Sequence, residues 1–201
     1  MTVSTVGVAD ADTPDKYLHT NQRTISSTAR EDQYVLQGEG AYPTYSVAAT
    51  GLSITTAASH VLQIMGDGSN YSRLRRITVG VWTPAVGSAT DFHLYRLSSA
   101  GTGGTAKTPA PFDTADTYGG GAMTLPSSKG TEGALLAVLG VLHFDSSANN
   151  GSYKSLTWEA RPGDKPIIFG TATSSGIALK SITGIAASVW VHAEFVVTSY
   201  L

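Results

Sequence analysis

The chain has 201 residues, a formal charge of −2 and no cysteine, which excludes disulfides, thiolate metal sites and the basic excess that drives binding to phosphate backbones. Charged residues make up 14% and hydrophobic ones 41%, where a typical globular chain is about a quarter charged. Much of the surface is therefore expected to meet protein, and the length suits one sizeable core.

The first stretch, MTVSTVGVADADTPDK, has neither a basic leader nor a continuous apolar segment. The longest apolar run, Ala134–Leu139, falls far short of the roughly 18 residues that span a bilayer. Neither a signal nor a membrane partner is expected. Residues 1–42 keep neither helical nor strand periodicity and read as an extended N-terminal arm, not a domain. Within it Tyr17, Leu18, Ile25, Tyr34, Val35 and Leu36 form a candidate partner-binding set, since each large side chain contributes roughly 1.5–3 kcal/mol when fully buried. Thr28 and Glu31 have capping-box spacing, which allows Ser26–Glu31 at most a short helical turn.

Residues 43–201 read as a β-sandwich. Ser46–Ala49 and Leu52–Thr55 flank Thr50-Gly51 as if across a tight turn, and His60–Met65 ends at a Gly/Asp/Ser/Asn cluster. Arg73–Thr83 is the longest strand candidate. Its Arg75, Ile77, Val79 and Val81 alternate with Leu74, Arg76, Thr78 and Trp82, and Ala89–Leu97 is expected as its hairpin partner. Residues 98–133 are dense in Gly, Pro, Ser and Thr, a long excursion of the kind that signals function or a contact surface, with a short strand at Ala122–Leu125. Ala134–Phe144 is almost continuously apolar and is expected to be covered on both faces. Tyr153–Glu159, Pro166–Phe169, Ile177–Ile182 and the alternating Ser188–Thr198 complete the set. Helical patterns are nearly absent, so the fold class is all-β, a jelly roll or related β-sandwich of about eight to ten strands.

Three strands carry a His and an acid on one face: Asp91/His93, His143/Asp145 and His192/Glu194. If they converged they could ligate a metal as two-His-one-carboxylate sites do, but the solvated polar pair is the simpler reading, and no metal or other cofactor is expected. Nucleophile-elbow and phosphate-loop patterns are missing, and Gly101-Thr102-Gly103-Gly104 lacks the strand and helix a phosphate cradle needs. No catalytic residue is assigned, and the chain reads as a non-enzyme. Arg73, Arg75 and Arg76 read as a solvated edge that blocks misassociation, with an acidic partner or a phosphate as the alternative. Trp82, Trp158 and Trp190 are either core and interface aromatics or a sugar-stacking platform. Asn70 and Asn150 head glycosylation sequons, which carry little weight alone.

The runs DKYLHTNQRTISSTAREDQYVLQGE, SHVLQIMGDGSNYSRLRRITV, DFHLYRLSSAGTGGTAKTPAPFDTAD and TLPSSKGTEG resemble virion structural proteins of tailed bacteriophages. The resemblance covers most of the chain and includes no catalytic motif. It implies an arm joined to a jelly-roll-like domain on the particle exterior, as capsid decoration, head-fibre or tail-associated protein. Its partners would be its own copies, as a homotrimer, and other virion proteins, foremost the major capsid protein. Trp190 and Val196 on the second face of Ser188–Thr198 suit such contacts. The alternative it leaves open is a tail-fibre or receptor-binding module that recognises a host surface glycan.

Overall fold

The structure, a computed structural model, describes residues 3–7, 17–25, 28–33, 42–83, 87–144, 154–161 and 165–198. The chain divides into two compact units, Met1–Ala41 and Tyr42–Leu201, and no helix occurs among the described residues of either.

In the first unit β1 (Val3–Gly7), β2 (Tyr17–Ile25) and β3 (Thr28–Gln33) form an antiparallel sheet in chain order, with Val6 opposite Leu18 and Ile25 opposite Thr28. Tyr17, Leu18 and Ile25 thus lie in β2, while Tyr34, Val35 and Leu36 lie outside the described residues. Of Ser26–Glu31, which allow at most a short helical turn, Thr28–Glu31 run in a strand instead. Thr24, Ile25 and Thr28 are β-branched, which disfavours a helix and favours a pleated pair.

The second unit contains β4 (Thr44–Ser53), β5 (Ser59–Met65), β6 (Tyr71–Thr83), β7 (Ser88–Leu97), β8 (Thr105–Lys107), β9 (Ala110–Pro111), β10 (Ala122–Thr124), β11 (Glu132–Phe144), β12 (Ser155–Glu159), β13 (Ile167–Gly170), β14 (Gly176–Ser181) and β15 (Ser188–Thr198). One sheet runs β11-β7-β14-β5-β10-β8 and the other β12-β6-β15-β4-β9, with β13 also on β6. The long strands pair in a nested series: β4 with β15, β5 with β14, β6 with β12 and β13, and β7 with β11, all antiparallel. A ribbon folded once and then rolled gives that nesting, and it is the jelly roll.

Several local expectations change. The β6 and β7 strands are not a hairpin; they belong to different sheets, because a rolled ribbon sends successive strands to opposite layers. Thr50-Gly51 is no turn either. It is an extra residue within β4, where the pairing shifts between Val189–Leu52 and Val191–Ala49 and Gly51 takes φ 66°, a left-handed value that glycine adopts without strain. A second bulge at Arg75 lets Leu74 join Ile77 and Val79 inside and turns Arg75 outward. Finally, β6 lies inside its sheet between β15 and β12/β13, so the arginines do not guard an edge.

Alternation places Val47, Ile77, Val191 and Phe195 of one sheet in a common core with Leu62, Phe92, Leu94 and Leu179 of the other. The excursion leaves β7, crosses to the opposite edges and returns to β11 beside β7. On the way β10 pairs with β5, β8 with β10, and β9 with β4. Its base is closed by the Ser98 N–H donating to Thr131 O at 3.0 Å and by a Thr102–Ser128 bridge. Tyr118 plugs the core from this excursion: its ring lies 5.2 Å from Tyr45 and 5.0 Å from Phe195, and its hydroxyl donates to Met65 O at 2.7 Å. Burial is the main reason its phenol is pushed up to about 12.

Phe195 has no exposed surface and contacts Tyr45, Tyr118 and Phe169. Phe195→Ala is expected to cost about 3–5 kcal/mol, read as a lower urea midpoint at unchanged slope.

Candidate functional site

The outer face of the β11-β7-β14-β5 sheet has a covered half and an open half, and both differ from what the sequence suggests. The covered half is built on β5. There His60 and Gln63, three residues apart, would face opposite ways on an ideal strand, yet both are buried and hydrogen-bonded to each other. An extra residue at Val61 resets the alternation, since Leu62 pairs with Leu179 while His60 pairs with Lys180.

A directed chain of hydrogen bonds starts there. The Gly101 N–H of the excursion donates to Gln63 Oε1 at 2.8 Å, which turns the amide nitrogen toward His60, whose Nδ1 accepts at 2.5 Å. Because Nδ1 accepts, Nε2 carries the proton and donates to Glu132 Oε1 at 2.9 Å, and Lys180 Nζ holds Glu132 Oε2 at 2.8 Å. Lys129 reaches the same carboxylate at 3.5 Å, and Lys180 lies 4.9 Å from the Tyr95 ring centroid. A Cβ on Gly101 would come within 2.6 Å of Ser128 O and 2.9 Å of Gln63 Nε2. Only glycine lets the backbone approach this closely.

Burial lowers the His60 pKa below its ordinary value despite the bond to Glu132, and the Lys129 and Lys180 charges act in the same direction. Burial alone would raise the Glu132 carboxyl, but hydrogen bonds from Lys180 and His60 outweigh it and hold the group below its ordinary range. The cluster is a neutral imidazole bridging an amide and a shared carboxylate.

The open half is β11 with the adjoining face of β7. Ala134–Phe144, expected to be covered on both faces, is instead part of an edge strand. Bulges between Leu135 and Ala137 and between Val138 and Gly140 convert alternation into a three-residue rhythm, with Gly140 at φ 121°. Leu136, Leu139, Leu142 and Phe144 pack on the core, while Leu135, Val138 and Val141 remain 49%, 58% and 48% exposed. They sit opposite Tyr95, His93 and Asp91. From Gly133 to Leu142 the strand carries no charge, so nothing on it repels a protein surface.

The other candidates separate. Asp91 and His93 lie on β7 and His143 on β11, whereas His192 and Glu194 lie on β15 in the opposite sheet; Asp145 is outside the described residues. Glu194 accepts from Arg76 at 2.7 Å with His192 at 3.7 Å. No cluster of His, Cys, Asp and Glu that could hold a metal occurs among the described residues. Trp158 packs against the core, Trp190 covers Gly80, and Trp82 is 52% exposed beside Gly51. The Asn70 side-chain nitrogen donates to Asp67 Oδ2 at 2.8 Å, and Asn150 lies outside the described residues. No described helix is long and apolar enough to cross a membrane.

Comparison with family models, curated proteins and solved structures returns no match. Sequence reading missed His60, Gln63, Glu132 and Lys180. The one signal was a His and a Gln inside an otherwise apolar strand, and their partners lie far off in sequence.

The lowered His60 pKa sets a direction for pH. Below the ordinary imidazole value of about 6.5, the unfolded chain takes up a proton that the folded chain resists. Stability is therefore full above that value and declines as pH falls through it. Glu132, also lowered, adds a second decline below about 4.3. Urea midpoints measured across this range should show both, and His60→Asn should remove the first.

Proposed function

We propose that this chain is a virion structural protein of a tailed bacteriophage, a capsid decoration protein that occupies the particle exterior. The observation that carries the reading is the uncharged stripe Leu135, Val138 and Val141 on an open sheet face. The low charge content of the whole chain and the resemblance of its arm and excursion to such proteins agree with it.

Magnitudes favour an assembly over a simple pair. Covering what these three side chains leave in water is worth about half of a full burial each, on the order of 3 kcal/mol together. Association costs roughly 4–15 kcal/mol. The stripe alone does not hold two molecules together, but a second attachment on the same subunit makes its contribution effectively intramolecular. Residues 1–42, with Tyr17, Leu18, Ile25, Tyr34, Val35 and Leu36, supply that attachment by anchoring to a neighbouring shell subunit. The sheet face then meets the next copy in a homotrimer, the three-fold choice resting on the resemblance.

A second reading, a receptor-binding module for a host surface glycan, draws on Trp82, which is half exposed on the face shared with Trp190.

Two variants test the first reading. Val138→Asp alters an exposed position and should shift fold stability by no more than about 0.5 kcal/mol, yet reduce self-association by light scattering and incorporation into capsids. A chain lacking residues 1–42 should lose capsid binding. If both variants decorate shells as well as the intact chain does, the arm anchor and the sheet-face contact are wrong; if the intact chain itself does not bind shells, the decoration reading is wrong, and if the truncated chain binds host cells through Trp82, the second reading replaces it.

A further inference from the structure

The buried polar chain fastens the excursion to the sheet through a single acceptor, and that acceptor is tied to a titratable ring. Gly101 N–H meets Gln63 Oε1, and the same amide's nitrogen meets His60 Nδ1. A proton added at Nδ1 would face the amide NH2, donor against donor. Turning the amide over offers Oε1 to the imidazolium but sets the NH2 against the Gly101 N–H. Either way one buried contact is lost, so the state of His60 is passed to the excursion backbone by the polarity of one side chain.

The surroundings offer an imidazolium little relief. Among the described residues Glu132 of β11 is the one carboxylate on it, and that group already holds Lys180 of β14 and Lys129 of the excursion. From β7 the facing groups are Tyr95 under Lys180 and His93 beside Tyr95. Adding a charge gives three cations to one carboxylate, in a place where His60 has no exposed surface and water cannot compensate. On the far side of the excursion, Tyr118 is held by the core and by Met65 O, contacts that do not titrate in the same range.

We propose that His60, Gln63 and Gly101 form an acid-sensitive latch, in which protonation of His60 frees the Gly101 end of the excursion from the sheet while Tyr118 and the sandwich stay in place. Mild acid then bares the outer face of β5 around Gln63 that this end covers, enlarging the open face already present on β11 and β7.

The test is amide exchange at Gly101 in the intact chain, followed by NMR and divided by the intrinsic rate at each pH. Between about pH 7.5 and about pH 5, on either side of the ordinary imidazole value, Gly101 protection should fall at least about tenfold while Val191 and Ile77 in the sandwich keep theirs. The midpoint should match the titration of the His60 ring and not that of His93, His143 or His192. His60→Asn, which keeps an acceptor toward Gln63, should make Gly101 protection flat across the range. If that variant does not fold, the match of midpoints in the unaltered chain decides. Protection that stays constant, that follows another histidine, or that still falls in His60→Asn overturns the latch.

Discussion

Which side chains reach each outer face depends on where the strands lose their two-residue rhythm, because one inserted residue reverses the facing of everything beyond it. The extra residue at Val61 brings His60 to the face of Gln63. That at Arg75 hands an inner place to Leu74. The paired bulges in β11 turn Leu135, Val138 and Val141 outward without pulling Leu136 and Leu139 off the core. Without them, β11 would show alternate residues to water and the polar chain beneath the excursion would not meet.

The same constraint explains what the sequence revealed. Ser188–Thr198 was legible to the residue because its inner face, Val189 to Phe195, keeps strict alternation through a run long enough to exceed chance. The all-β class followed from many such runs. Pairing partners were not legible: β6 and β7 are neighbours in sequence and lie in different sheets, a choice set by the roll of the whole ribbon. Bulges were hidden too, since an apolar run such as Gly133–Phe144 has the same composition whether or not its phase slips. His60 and Glu132 are joined by a contact that only the crossing excursion creates. Sequence offered a His in an apolar strand and no reason to link it to a Glu beyond a glycine-rich stretch.

The excursion also changes how the two sheet edges are protected. An open jelly roll exposes β5 and β4 on one side, and unpaired strand edges invite association with other chains. Here β10 and β8 extend past β5 and β9 covers part of β4, so that side is closed by the chain itself. Among the described residues no strand pairs with the outer edge of β11. Its bulges make it a poor template for adding another strand, which leaves side-chain contact through its face as the mode of association it favours.

The position of β15 has a consequence for how the molecule is made. It lies between β4 and β6, with Val191 facing Ala49 on one side and Val79 on the other. During synthesis β4 and β6 leave the ribosome long before the strand that joins them, and until it arrives β6 has only β12 and β13 beside it and β4 only the two-residue β9. Contacts so distant along the chain also form slowly. The nascent chain therefore passes through a period in which the core is incompletely covered, and its yield in the cell depends on what shields it during that interval.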